Sequence, residues 1–322
     1  MPSLLKRLTY RALAAATLPR LRAARALIGL CHHRFEATPG ADPIPGMAVT
    51  PEALARQIEV LARIGRFVSL EEAFDPDPAP GLRFWLSFDD GYRDNAMILP
   101  PILERLGVPA TLFITHGFVT GEIPALEHDL AAGHTPPAMS PDQLRAAAAD
   151  PRLSIGCHTF SHRRLDVFNA PDWRRECAEA RQWTARLTGV PVRDLAYPFG
   201  GRRDFDWRDG PGFLLQQGFR SVCSNFGGWN SPAAPTASAP APTSLTHLHR
   251  VPMIGSGDPG ADHGLGDEDG GAGLRENAPA PVRAPACRPG RFPPTPPPWI
   301  HPPSSPRSSA SSFPCTTRKR RC

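Results

Sequence analysis

Between Ala26 and Cys223 the chain alternates short apolar runs with stretches of helical periodicity, and this alternation restricts the fold to a few architectures. The segments ALIGLCHHRF (26–35), RFWLSF (83–88), ATLFIT (110–115), LSIGC (153–157) and FRSVC (219–223) read as strands, and DLAYPFG (194–200) as strand and turn. Helical stretches fall between them. Thr50-Pro51 sets a capping hydroxyl ahead of a proline at the first helical position, and Leu54, Ile58, Leu61 and Ile64 then share one face. Pro100-Pro101 bends the next helix, Ser140-Pro141 opens another, and Gly189 and Pro191 close the helix marked by Trp173, Cys177, Ala180, Thr184 and Leu187. Strands separated by helices imply a parallel sheet or barrel, whose chemistry collects at the carboxyl ends of its strands. Asp89-Asp90 and His158 stand at such ends.

Composition divides the 322 residues into three parts. From Asp258 to Cys322 there are 14 Pro and 7 Gly in 65 residues, against four Ile, Leu or Val, too little apolar surface to offset the entropy of ordering. The sequence therefore predicts a basic amphipathic segment at 1–25, one folded domain at 26–257, and a disordered tail at 258–322. A shifted reading frame in a GC-rich gene would write such a tail. The formal charge of +5 is mild, and its Arg-rich runs at Lys6–Arg25 and Arg318–Arg321 lie outside the expected core, which speaks against nucleic-acid binding. Seven cysteines without a CxxC pair give neither a disulfide framework nor a zinc knuckle. No run approaches the ~20 apolar residues of a membrane span. The start lacks the separate charged and apolar regions of a secretory signal, so the cytoplasm is the default compartment, with export left open. Two loops stand out: 117–139 as a candidate lid, and the low-complexity SPAAPTASAPAPTS (231–244).

Three short motifs carry chemistry. In SFDDGY (87–92) two carboxylates stand together at a strand end, and such a pair raises one pKa unless a cation neutralises it. Alone it also fits a helix cap, a turn or a phosphate-accepting receiver site. In CHTFSH (157–162) the histidines at 158 and 162 would share one face of a helical turn and could bind a metal together. A catalytic zinc takes three protein ligands and a water, and a carboxylate from another strand end would complete the set.

Together these segments resemble the polysaccharide deacetylases with a NodB-homology domain, carbohydrate esterase family four. SFDDG looks like their first motif, HTFSH like the second and YPFG (197–200) like the third. LCHHRF, PGMAV, VSLEEA, GYRDN, LGVPATLFIT and HLHRVPM (247–253) extend the likeness from about Ala26 to Gly257. The resemblance implies a distorted (β/α) barrel of the NodB-homology type with a divalent metal, usually zinc, at its top. It implies Asp90, His158 and His162 as ligands, Asp89 as catalytic base, and the backbone N–H of Phe199 at the oxyanion. His33 and Tyr197 are the substrate-binding candidates, and the implied substrate is an acetylated glycan, with N-acetyl-hexosamine polymers leading.

The chain departs from the family pattern in places. The general acid is expected from Leu245-Thr246-His247, with His249 and His33 as alternatives. The arginine that many relatives place near the third motif has Ala196 at one spacing and Arg193 at a looser one. Asp206-Trp207 imitates a further motif but follows YPFG closely. After HRVPM the composition changes, so the barrel is expected to be incomplete at its C-terminal edge. A non-catalytic NodB-fold module that binds a glycan or a partner is the alternative function. The sequence does not choose the oligomeric state.

Overall fold

The computed structural model describes residues 16–232 and 244–253. Ten strands are described: β1 (Leu27–His32), β2 (Arg34–Phe35), β3 (Ala48–Val49), β4 (Arg66–Phe67), β5 (Arg83–Phe88), β6 (Ala110–Ile114), β7 (Leu153–Cys157), β8 (Asp194–Ala196), β9 (Ser221–Ser224) and β10 (Thr246–Pro252). Eight form one parallel sheet in the order β1-β10-β9-β8-β7-β6-β5-β4, and β1 also pairs with β5 from Leu27↔Arg83 to His32↔Phe88. That pairing closes every strand of the sheet except β4 into a ring of seven. The expected barrel is there; the expected gap is not. β10 fills it, pairing with β9 through Thr246–His249 and with β1 through Gly29–Cys31.

Alternation along each strand sorts the two faces. On β5, Phe84, Leu86 and Phe88 face outward and pack with Leu54, Ile58, Ile102, Leu103 and Leu144 from the surrounding helices. Trp85 faces inward and meets Phe113, Ala196, Cys223 and Leu248. This inner cluster plugs the barrel below its mouth. The plug needs a glycine at 156, because a Cβ there would stand 2.3 Å from the Phe113 ring. Trp85 Nε1 is satisfied by Thr111 Oγ1 at 2.9 Å, so the buried indole leaves no unpaired donor.

The helices start where the capping residues place them. Thr50 Oγ1 accepts from Ala53 N at the head of Pro51–Ala62, and Ser140 and Gln143 form a reciprocal capping box on Pro141–Ala149. The helix expected to bend at the double proline is instead divided at Ile98, into Arg93–Met97 and Leu99–Leu106. Two expectations need correction. The N-terminal segment is not wholly outside the core, because a helix over 16–23 buries Leu21 in it. The 117–139 stretch, expected as a loop and candidate lid, carries helices and adds His128 to the cavity wall. It contains the helices His116–Thr120 and Glu127–Ala131, and it is anchored by fully buried Leu126 and Asp129. The tail at 258–322 and most of 231–244 lie outside the described residues. Among the described residues no helix is long and apolar enough to cross a membrane.

Candidate active site

Asp89 and Asp90 point into the same cavity because the strand ends between them. Asp89 continues the inward row of Trp85 and Ser87. Asp90 then takes φ 77° and Gly91 φ 93°, a left-handed turn that swings the second carboxylate back to the same side. A related device sets the histidines. His158 continues the inward row of β7, and its Nδ1 is 2.7 Å from the Ala196 carbonyl, which assigns the proton to Nδ1 and leaves the Nε2 lone pair facing the cavity. His162 arrives through a loop in which Thr159 has φ 66° and His162 itself φ 60°. The helical turn expected for this His-x3-His pair is not formed.

The loop is held by Glu176, which the sequence did not reveal. Its carboxylate accepts from Phe160 N (3.1 Å), Ser161 N (2.9 Å) and Ser161 Oγ (2.7 Å). Glu176 lies in a π-helical stretch, Arg174–Glu179, within the longer helical run that continues as Ala180–Thr188.

Asp90 is the unusual group. It is fully buried, and both of its oxygens lack a hydrogen-bond partner. His158 Nε2 lies 3.3 Å and His162 Nε2 3.2 Å from its Oδ1. A ring nitrogen carrying a lone pair beside a carboxylate is repulsive unless positive charge stands between them. Burial pushes the Asp90 carboxyl up, but the His162 and His158 rings outweigh it and hold it well below the usual carboxylate range. These three residues fit a divalent cation: their ligand atoms lie within 4.8 Å of one another, and two nitrogens with one carboxylate are a donor set that zinc accepts.

Asp89 is satisfied instead. Arg250 Nη1 meets Oδ1 at 2.7 Å and Nη2 meets Oδ2 at 2.8 Å, and Arg250 Nη1 also reaches Ser87 Oγ at 3.1 Å. Burial raises the Asp89 pKa, but the Arg250 charge and then His158 bring it below the ordinary value. His158 is pushed down by burial and up by Asp89 and Asp90, and the rise wins. Neither Ala196 nor Arg193 supplies this arginine. Arg250 does, from β10, 161 positions away.

The cavity holds about 240 Å³ and is lined by His33, Asp89, Asp90, His128, His158, His162, Tyr197, Phe199 and Arg250, with Ile44, Met47, Gly200 and Asn225. His33 is therefore in place. Tyr197 lines the wall, but its hydroxyl is committed to the Gly200 and Gly201 carbonyls, both at 2.9 Å, and so it braces the YPFG turn. Phe199 has φ 65° and is 38% exposed as a residue, and its ring lies 5.0 Å from the His162 ring. His247 is not part of this lining. It donates to or accepts from Ser224 Oγ at 2.8 Å and packs on Trp207, and burial, then His249 and Arg202, push its pKa down to about 3. His249, also absent from the lining, packs against Phe226. Asp206 accepts from the Phe168, Arg208 and Asp209 amides and organises its own loop. His128, which sequence reasoning passed over, stands in the wall 5.1 Å from the His162 ring.

A closed parallel barrel with a carboxylate and two imidazoles converging at its mouth defines a (β/α)-barrel protein with a candidate metal centre. The family model for polysaccharide deacetylases matches residues 77–207 of the chain. YxkH of Bacillus subtilis (strain 168), itself named for the same family, is 25% identical over 115 residues, 36% of this chain and 36% of that protein. The match thus spans about a third of the length of that curated relative. Solved structures share the fold. A de-N-acetylase from Aggregatibacter actinomycetemcomitans aligns with TM-score 0.55 at 15% identity, covering 71% of this chain and 95% of that one. IcaB from Ammonifex degensii aligns with TM-score 0.51 at 20% identity, covering 70% and 91%. PplD of Streptococcus pyogenes, solved with acetate, aligns with TM-score 0.53 at 16% identity, covering 71% and 92%.

Proposed function

We propose that this chain is a metal-dependent hydrolase that removes acetyl groups, N-acetyl groups foremost, from a carbohydrate polymer or oligosaccharide. The observation that carries the reading is the Asp90 carboxylate, buried without a hydrogen-bond partner between two imidazole nitrogens. The family-model match over residues 77–207 and the deacetylase names of the fold neighbours support it.

Asp90, His158 and His162 would hold the cation, with zinc the best match to their donors. A cation bound there polarises the acetyl carbonyl and acidifies a neighbouring water. The remaining work falls to the chain. Asp89, kept ionised and aimed by Arg250, takes the proton of the attacking water and returns it to the departing nitrogen or oxygen as the bond to the acetyl carbon breaks. Phe199 lines the cavity in a turn with φ 65°, and its N–H would hydrogen-bond the oxygen of the tetrahedral intermediate. His33 and the exposed Phe199 ring contact the sugar. The Ala196 carbonyl keeps the His158 ring in one tautomer throughout.

Acetate release should be measured on a panel of acetylated glycans with the protein as purified, after chelation, and after zinc is restored. Chelation is expected to lower release on the best substrate by about a hundredfold or more, the scale on which an active-site group contributes. Undiminished release from fully demetallated protein would overturn the reading.

A further inference from the structure

His128 belongs to a second built assembly, one that the reaction as described does not use. Its ring lines the cavity beside His162, and its Nε2 is 3.0 Å from Tyr92 Oη. Tyr92 Oη also donates to Asp129 Oδ2 at 2.7 Å and accepts from Arg34 Nη1 at 3.1 Å. Arg34 in turn pairs with Asp129 and with both oxygens of Asp42. Arg34, Tyr92 and Asp129 are all buried, with side chains from 0 to 2% exposed. A hydroxyl has one proton, and the charged acceptor Asp129 takes it. Tyr92 can then only accept from His128, so Nε2 carries the hydrogen. The other ring nitrogen, Nδ1, meets no protein group among the described residues and is not buried. It remains as an acceptor with a free lone pair on a ring that lines the cavity.

The geometry points to His128 as a specificity-determining residue. We infer that its Nδ1 accepts a hydrogen bond from the ring hydroxyl next to the acetylated position of the sugar, so the site prefers substrates that carry that hydroxyl free. The Asp89–Arg250 flank handles water; the His128 flank, on the far side of His162, reads the sugar. A site built to pair with a hydroxyl rejects the analogue that lacks it, because its acceptor is then left unpaired.

The inference rests on the deacetylase reading, and the test separates the two. A 1,4-linked N-acetylhexosamine oligosaccharide is compared with its counterpart in which that hydroxyl is replaced by hydrogen. The native chain is expected to favour the hydroxyl-bearing substrate by ~30-fold or more in kcat/KM. His128→Asn keeps an acceptor close to the position of Nδ1 and should retain most of this preference. His128→Gln moves the acceptor to the position of Nε2 and should reduce the preference to about threefold or less, a loss worth ~1.4 kcal/mol per factor of ten. Zinc content and melting temperature should be equal in the two variants. No preference in the native chain, or equal preference in the Asn and Gln variants, overturns the inference. Failure of every form to release acetate from either substrate would instead strike the deacetylase reading.

Discussion

Asp89 and Asp90 leave the same strand end, yet the two flanks of the pocket meet their charges in different ways. Around Asp89 the protein supplies its own cation, a guanidinium that is itself fully buried and binds both oxygens. Around Asp90 it supplies two imidazole nitrogens and no donor. One flank pairs its carboxylate with a cation of the chain; the other leaves both carboxylate oxygens without a hydrogen-bond donor. The difference teaches that adjacent, identical residues can be assigned opposite tasks by what approaches from strands distant in sequence. On the proposed reading, the charge used as a base is the one fixed by an arginine, and the charge used as a ligand is the one without a donor.

The largest effects should come from exchanging those tasks. His158→Ala and His162→Ala each leave two protein ligands and are expected to lose bound zinc and nearly all activity together. Asp90→Asn should weaken zinc binding, with activity partly recovered in excess zinc. Asp89→Asn should keep its zinc while kcat falls by roughly a hundredfold or more, the scale of a lost general base. Zinc content by elemental analysis beside acetate release reads all four, and metal loss at Asp89 with retention at Asp90 would reverse the comparison.

Arg250→Met comes next. It strands the Asp89 charge in the barrel, and breaking a buried pair in this way costs about 3–5 kcal/mol. Thermal melting should show a drop of several degrees. The double variant Arg250→Met with Asp89→Asn should recover much of it, since no buried charge is then unpaired. An undiminished melting temperature in the single variant would mean that the Asp89 flank is not closed by Arg250.

The smallest effect concerns Asp94, a third carboxylate of the same region, for which neither device is provided. Burial pushes its pKa up to about 6, against a partial offset from the Phe35 amide and Arg34. The folded state therefore keeps the proton to about pH 6, while the unfolded chain releases it near the ordinary value of about 3.9. Between those values the unfolded state binds fewer protons, so this group makes stability fall as pH rises through the window. Asp94→Asn is expected to stabilise the protein by roughly 1–3 kcal/mol at pH 7 and by little at pH 4, measured by denaturant unfolding. Equal effects at both pH values would show that Asp94 is not held protonated.

Much of this was legible in the sequence, and what was hidden is of one kind. The strands around Trp85, Phe113 and Cys223 announced themselves because alternation is written locally. The carboxylate pair and the two histidines could be singled out because each falls at a strand end. The path of His162 could not, because spacing of four suggests a helix, while the actual loop depends on Glu176 reaching across from another element. Arg250 left a trace that went unread. In HLHRVPM, alternation puts Leu248 and Arg250 on the same face, and an arginine aligned with a core leucine needs a buried carboxylate partner. His128 had no comparable trace, since its position depends on Arg34 and Tyr92, far away in the chain. The choice of His247 failed through the same alternation, which turns it to the opposite side of the strand from Arg250.

The Trp85–Phe113 plug, fitted tightly enough to forbid a side chain at Gly156, gives the cavity a floor and so makes it a blind alley rather than a tunnel. Traffic is then one-way in space but two-way in time, and whatever enters last must back out first. Under the proposed reaction, a glycan pressed over Phe199 would stand across the cavity mouth, and the small fragment cut from it would wait beneath until the chain lifts away. If the chain acts on a polymer as proposed, such a geometry suits landing, modifying one residue and departing, and it disfavours threading a chain end through the barrel.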